Sequence, residues 1–87
     1  MSKVFKYLVR AVDRVTLEMP KGAKLLSFQC QNDQLCLWAL VDPKAPTETR
    51  SFRVVGTGHP IEEPGEFVGT AQMRGGLLVW HLFEITK

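Results

Sequence analysis

Apolar and polar residues alternate along most of this chain, and the alternation is repeatedly cut by Gly, Pro or Asn-Asp, so no window carries a helical stripe. A period-two pattern cannot put its apolar side chains on one face of a helix. It can on a strand. The sequence therefore predicts an all-β fold, a small antiparallel sandwich or barrel of about six to seven strands. Strands are expected at 3–9, 14–19, 23–31, 34–42, 49–55, 67–73 and 77–85, with a proline-broken loop at 43–48 and a long excursion at 56–66. Loops of that length in a small domain often carry function.

Strand parity makes the pattern specific. If Asn32-Asp33 is a two-residue turn, Cys30 faces Leu35, Phe28 faces Leu37 and Leu26 faces Ala39, a wholly apolar surface. The reverse face then holds Ser27, Gln29, Gln31, Gln34, Cys36 and Trp38, as a half-covered antiparallel sheet requires. A three-residue loop would instead pair Cys30 with Cys36 and mix Gln and Ser into the apolar surface, so the two-residue turn is preferred and the cysteines fall on opposite faces. Around Gly75-Gly76, Met73 pairs with Leu78, Ala71 with Trp80 and Gly69 with Leu82, while Gln72–Val79, Thr70–His81 and Val68–Phe83 occupy the other side. The expected core includes Leu26, Phe28, Leu35, Leu37, Phe52, Val54, Trp80 and Leu82.

At 87 residues the chain forms a single domain, 1–87, near the lower end of sizes that bury a self-sufficient core. One apolar surface completed by a second subunit, a homo-oligomer, is the corresponding expectation, with the first strand as an edge open to a partner's sheet. The net charge of +2 is too small to mark a nucleic-acid binder, although residues 1–24 hold six basic and two acidic groups. No apolar run is long enough to span a bilayer as a helix, and the N-terminus lacks the pattern of a signal peptide. Two cysteines without C-x-x-C or His/Cys spacing predict reduced thiols and neither metal nor cofactor.

The stretch "VVGTGHPI" (54–61) raises the question of a phosphate cradle. It matches neither the G-x-x-x-x-G-K-[ST] nor the G-x-G-x-x-G fingerprint, and reads better as a strand exit in which Gly56 and Gly58 supply positive φ and Pro60 extends His59. The same segment can rim a pocket. Trp38 and His81 lie on mixed sheet faces, where a flat ring offers a stacking platform for a nucleobase. Such an indole equally suits a second packing layer or a subunit interface. Arg50 and Arg53 point to opposite faces of their strand, so only one can serve a given pocket. No serine, cysteine or acid at recognisable spacing accompanies His59, and a His59–His81 acid–base pair is the only catalytic arrangement on offer; an enzyme is not expected.

The segments "MPKGAKLLS" (19–27), "CLWALVDP" (36–43), "TETRSFRVVGTGHPI" (47–61) and "VGTAQMRGGLLVWHLFE" (68–84) together resemble a group of short bacteriophage and prophage accessory proteins of unassigned function. That resemblance implies a non-structural protein made in the cytoplasm of the infected bacterium, where small phage proteins often counter host defence. Two modes stay open: sequestration, as a homo-oligomer, of a nucleotide-derived immune signal such as a cyclic nucleotide or a cyclic ADP-ribose-like molecule, or inhibition of a host protein by direct binding. The first is favoured here. Trp38 would stack a base, Arg53 and the Gly56–Gly58 amides would meet phosphates, and Thr57, His59, Gln72 or His81 would bond ribose hydroxyls.

Overall fold

Asn32 and Asp33 both adopt left-handed backbone, with φ of 53° and 63°. Those angles define the type I′ turn whose twist matches a two-residue hairpin, and Asn and Asp tolerate them better than other non-glycine residues. In the computed structural model, which describes residues 1–86, that turn joins the third of seven strands to the fourth. The strands are β1 (Lys3–Val9), β2 (Val15–Pro20), β3 (Lys24–Gln31), β4 (Gln34–Val41), β5 (Thr47–Gly56), β6 (Glu66–Met73) and β7 (Leu78–Glu84), with one 3₁₀ turn at Arg74–Gly76. They form a three-stranded sheet, β1-β4-β3, and a four-stranded sheet, β2-β5-β7-β6, with every neighbouring pair antiparallel.

The two predicted hairpins have the expected registers over most of their length. Cys30 faces Leu35 and Phe28 faces Leu37, while Ala71 faces Trp80 and Gly69 faces Leu82. Both registers break at one point. A bulge at Leu26 makes Leu25, not Leu26, the partner of Ala39, and a second at Val68 pairs Phe67 with Phe83. The extra residue in a bulge reverses the parity of everything beyond it. Leu26 is accordingly 48% exposed rather than in the core.

The inward faces merge into one core, in which Phe52, Met19, Leu37 and Leu82 are fully buried. Each such side chain contributes roughly 1.5–3 kcal/mol relative to remaining in water. Trp80 only packs against this cluster, half-buried at its margin. On one side the sandwich is closed where β3 and β6 approach: a Cβ on Gly69 would lie 3.1 Å from the Cβ of Phe28. On the other side β1 and β2 are free edges.

At one end of the sandwich, Arg50 grips Glu84 with two nitrogens, Nε to Oε2 at 2.6 Å and NH2 to Oε1 at 2.8 Å, and donates a third bond to the carbonyl of Ala23 at 2.6 Å. One guanidinium thereby links β5, β7 and the segment entering β3. Glu84 faces Glu66 across the β6–β7 ladder, so this fork also offsets a like-charge pair. The Glu84 carboxylate raises the Arg50 guanidinium above its ordinary range, against the opposing effect of burial.

Candidate functional site

The sheet partition decides which of the predicted residues can act together. Trp38 pairs with Lys6 and Ser27 on the outward face of the three-stranded sheet. Arg53, Gln72 and His81 point outward from the four-stranded sheet, opposite Phe83, Val79 and Val55 in turn. Trp38 therefore lies on the opposite surface of the molecule from the other candidates, and one copy cannot gather all of them around one ligand.

His81 sits between two hydroxyls. Its Nε2 is 2.7 Å from Thr57 Oγ1 and its Nδ1 is 2.9 Å from Thr70 Oγ1. A hydroxyl can donate or accept, so the neutral ring has a partner for its N–H and another for its lone pair. This arrangement fixes the imidazole's orientation and occupies both ring nitrogens.

The glycine stretch resolves into a tight turn. Gly58 has φ of 87°, as a strand exit requires, whereas Gly56 keeps strand geometry and is the last residue of β5. The His59 amide donates to the Gly56 carbonyl at 3.1 Å and the Thr57 amide to the Val79 carbonyl at 3.3 Å. Those two amides are thus engaged within the protein. The loop holds the His59 ring against Gly56, beside Trp80.

A groove forms around that contact. β2 pairs with β5 only as far as Phe52, so residues 53–56 of β5 have no strand on that edge, and the β1–β2 connection passes beside them instead. The space between, about 440 Å³, is lined by Val12, Asp13, Val54, Gly56, His59 and Trp80 among others. A second hollow of about 270 Å³ shares Gly56, His59 and Trp80 and extends to Thr57 and Leu77. A third, about 250 Å³, shares Asp13 and Pro60 and reaches Arg53 and Glu62. The three make one curved strip, with His59 and Trp80 at the first junction and Asp13 at the second.

Two residues that line this strip, Trp80 and Arg53, carry buried donors, Nε1 and Nε, with no hydrogen-bond partner among the described residues. Buried N–H groups left unpaired are uncommon, and each costs about 1–3 kcal/mol unless something satisfies it. The Arg53 guanidinium is otherwise held by Asp13 at 3.9 Å, a long contact to a carboxylate that is itself 94% exposed. A larger depression, about 600 Å³, opens between Leu8, Arg10, Asp33 and Met73, but its polar side chains are all exposed to solvent. It gives a ligand no buried partner to satisfy.

The sequence singles out Arg53, Gly56, Thr57 and His59, which line this strip. Sequence reasoning placed Trp80 in the core and overlooked residues 11–13. The pairing of Gly56 with Trp80 across β5 and β7 brings them together, and no local pattern announces that long-range register. Among the described residues, no group of three or more His, Cys, Asp or Glu side chains could hold a metal ion, and no helix is long and apolar enough to cross a membrane.

No curated protein and no solved structure matches this chain. A family model does match, over residues 1–87, and it describes a domain of unknown function. The chain belongs to the DUF7352 family.

Proposed function

We propose that this chain is a binding protein that takes a small nucleotide-derived ligand into the groove along residues 53–56 and withholds it. In the setting implied by the phage resemblance, the ligand is a host immune signal and the protein is an anti-defence accessory acting in the host cytoplasm. The observation carrying this reading is that two residues lining one groove, Trp80 and Arg53, each hold a buried donor, Nε1 and Nε, with no partner among the described residues. A base edge suits the first donor, with imidazole and indole as apolar walls. A phosphate oxygen suits the second, since a guanidinium pairs with it more strongly than with a distant, solvated carboxylate.

Charge narrows the ligand class. Asp13 and Glu62 line the arginine end of the groove, and two carboxylates beside one guanidinium oppose a polyphosphate. A cyclic mononucleotide, cyclic dinucleotide or cyclic ADP-ribose-like molecule, with little negative charge for its size, fits better. Catalysis lacks support: His81 has both ring nitrogens bound by threonines, and the groove presents no nucleophile beside a base.

The test is thermal denaturation against cyclic di-GMP, cyclic di-AMP, cyclic AMP, cyclic ADP-ribose and ADP-ribose, followed by mass analysis of the ligand released on unfolding. Ligand at about a hundredfold excess over Kd stabilises the native state by about 2.7 kcal/mol, enough to raise Tm by roughly ten degrees or more in a domain of this size. A shift with the ligand returned intact supports the reading. A chemically altered ligand would make the protein an enzyme, and no shift from any of the five, alongside co-purification of a host protein, would favour an inhibitor instead.

A further inference from the structure

Of the free strand edges, β1 and β2 lie on the open side of the sandwich, and they are not equivalent. β2 carries Glu18 and ends in Pro20, both poor templates for an added strand. β1 is seven residues long, contains no proline, and presents Val4 and Leu8 outward, each 56% exposed. Phe5 and Tyr7, on its inward side, pack against the core yet remain half-buried because nothing lies beyond them.

Lysines normally guard such an edge, and β1 has Lys3 and Lys6. Lys6 does not stand guard. Its Nζ donates to Gln31 Oε1 at 2.8 Å, and Gln31 is on β3, on the far side of β4. The ammonium is thus drawn across the sheet, over the buried Cys36, and away from the edge.

We infer that β1 is a homodimer interface, pairing antiparallel with β1 of a second copy about a two-fold axis at Lys6. This stands apart from the ligand reading and rests on register. In an antiparallel pair, opposed residues share a face, so only registers that oppose inward with inward residues preserve the sandwich. Centring on Lys6 opposes Val4 with Leu8 of the partner subunit on the outside and Phe5 with Tyr7 of the partner subunit on the inside. Moving the centre to Phe5 or Tyr7 puts Val4 or Leu8 against a lysine. The chosen register matches every apolar side chain of positions 4 to 8 with another. It opposes Lys6 with Lys6 of the partner subunit, whose ammonium groups the Gln31 bonds draw apart, and leaves Lys3 against Val9 of the partner subunit only at the ladder's ends. It joins the two three-stranded sheets into one of six strands.

The interface is a single ladder, small for a permanent dimer, so it is examined at NMR concentrations by light scattering and by cysteine cross-linking. The mass expected is twice the monomer's 9.8 kDa, returning to the monomer value in Val4→Lys and in Leu8→Lys. Those positions are exposed, so both variants keep the wild-type circular dichroism spectrum. Opposed strand residues have Cα atoms roughly 4.5–5.5 Å apart, within disulfide range. Lys6→Cys therefore links to itself on mild oxidation, Val4→Cys alone does not, and Val4→Cys mixed with Leu8→Cys does. A wild-type monomer at these concentrations would overturn the inference, as would a dimer that survives Leu8→Lys or in which Lys6→Cys fails to cross-link.

Discussion

The His59 imidazole and the Trp80 indole meet over Gly56: a Cβ at that glycine would lie 3.4 Å from His59 Nδ1 and 3.5 Å from Trp80 Cζ3. Two aromatic rings from segments over twenty residues apart thereby share one floor, and the groove bends around them. The contact depends on β5 and β7 pairing so that Gly56 opposes Trp80.

Replacing Trp80 by Phe keeps most of the ring and deletes the Nε1 donor. Ligand affinity should fall by about tenfold, the value of one hydrogen bond of about 1–1.5 kcal/mol, while Trp38→Phe on the opposite surface leaves it unchanged. Isothermal titration of both variants checks this. Equal losses, or a loss only in Trp38→Phe, would contradict the placement of the site.

Two glycines should respond oppositely to alanine. At Gly56 the added methyl meets only ordinary van der Waals neighbours and strand backbone, so stability should hold or rise by up to about 1 kcal/mol through the unfolded state. At Gly65, φ is 85° and the new Cβ would clash with the carbonyl oxygen of Glu84. Left-handed strain plus a backbone clash should cost at least about 2 kcal/mol. Urea titration of the two variants separates them.

Removing Arg50 leaves Glu84 sequestered opposite Glu66 with its counter-charge gone. The side chains of Arg50 and Glu84 are 18% and 14% exposed, so Arg50→Met should destabilise by about 2–3 kcal/mol, below the range for a fully buried pair. The double variant Arg50→Met/Glu84→Leu should recover much of that loss. Failure of the double variant to recover would mean that the bond to the Ala23 carbonyl matters more than the charge pair.

Burial pushes the Tyr7 phenol above its ordinary value. The unfolded chain then releases that proton first, so the stabilisation is complete below about pH 10, the usual phenol value, and is lost as pH rises through the folded-state value. Alkaline unfolding followed by circular dichroism should begin later in Tyr7→Phe than in the wild type, after matching both at neutral pH.

Much of the architecture was legible because hairpins are local. Alternation located all seven strands, and the Asn32-Asp33 turn chemistry settled the register of β3 on β4. Leu26 and Val68 defeated parity because a bulge inserts one residue without any compositional mark. The pairings of β1 with β4, β2 with β5 and β5 with β7 join distant segments, and their partners are selected by the packing of the whole core. The site suffered accordingly: Trp38 and His81 both occupy mixed faces, as parity indicated, but on opposite sheets. Of the 56–58 amides expected to meet phosphate, that of Thr57 is bonded to the Val79 carbonyl.

The most direct test uses the two indole N–H resonances in an ¹⁵N–¹H correlation spectrum, titrated with whichever cyclic nucleotide or ADP-ribose derivative raises Tm. The groove predicts that the Trp80 indole signal and the amides of Gly56 and His59 move together and saturate, while the Trp38 indole stays in place. Movement of the Trp38 indole with Trp80 unmoved would contradict it.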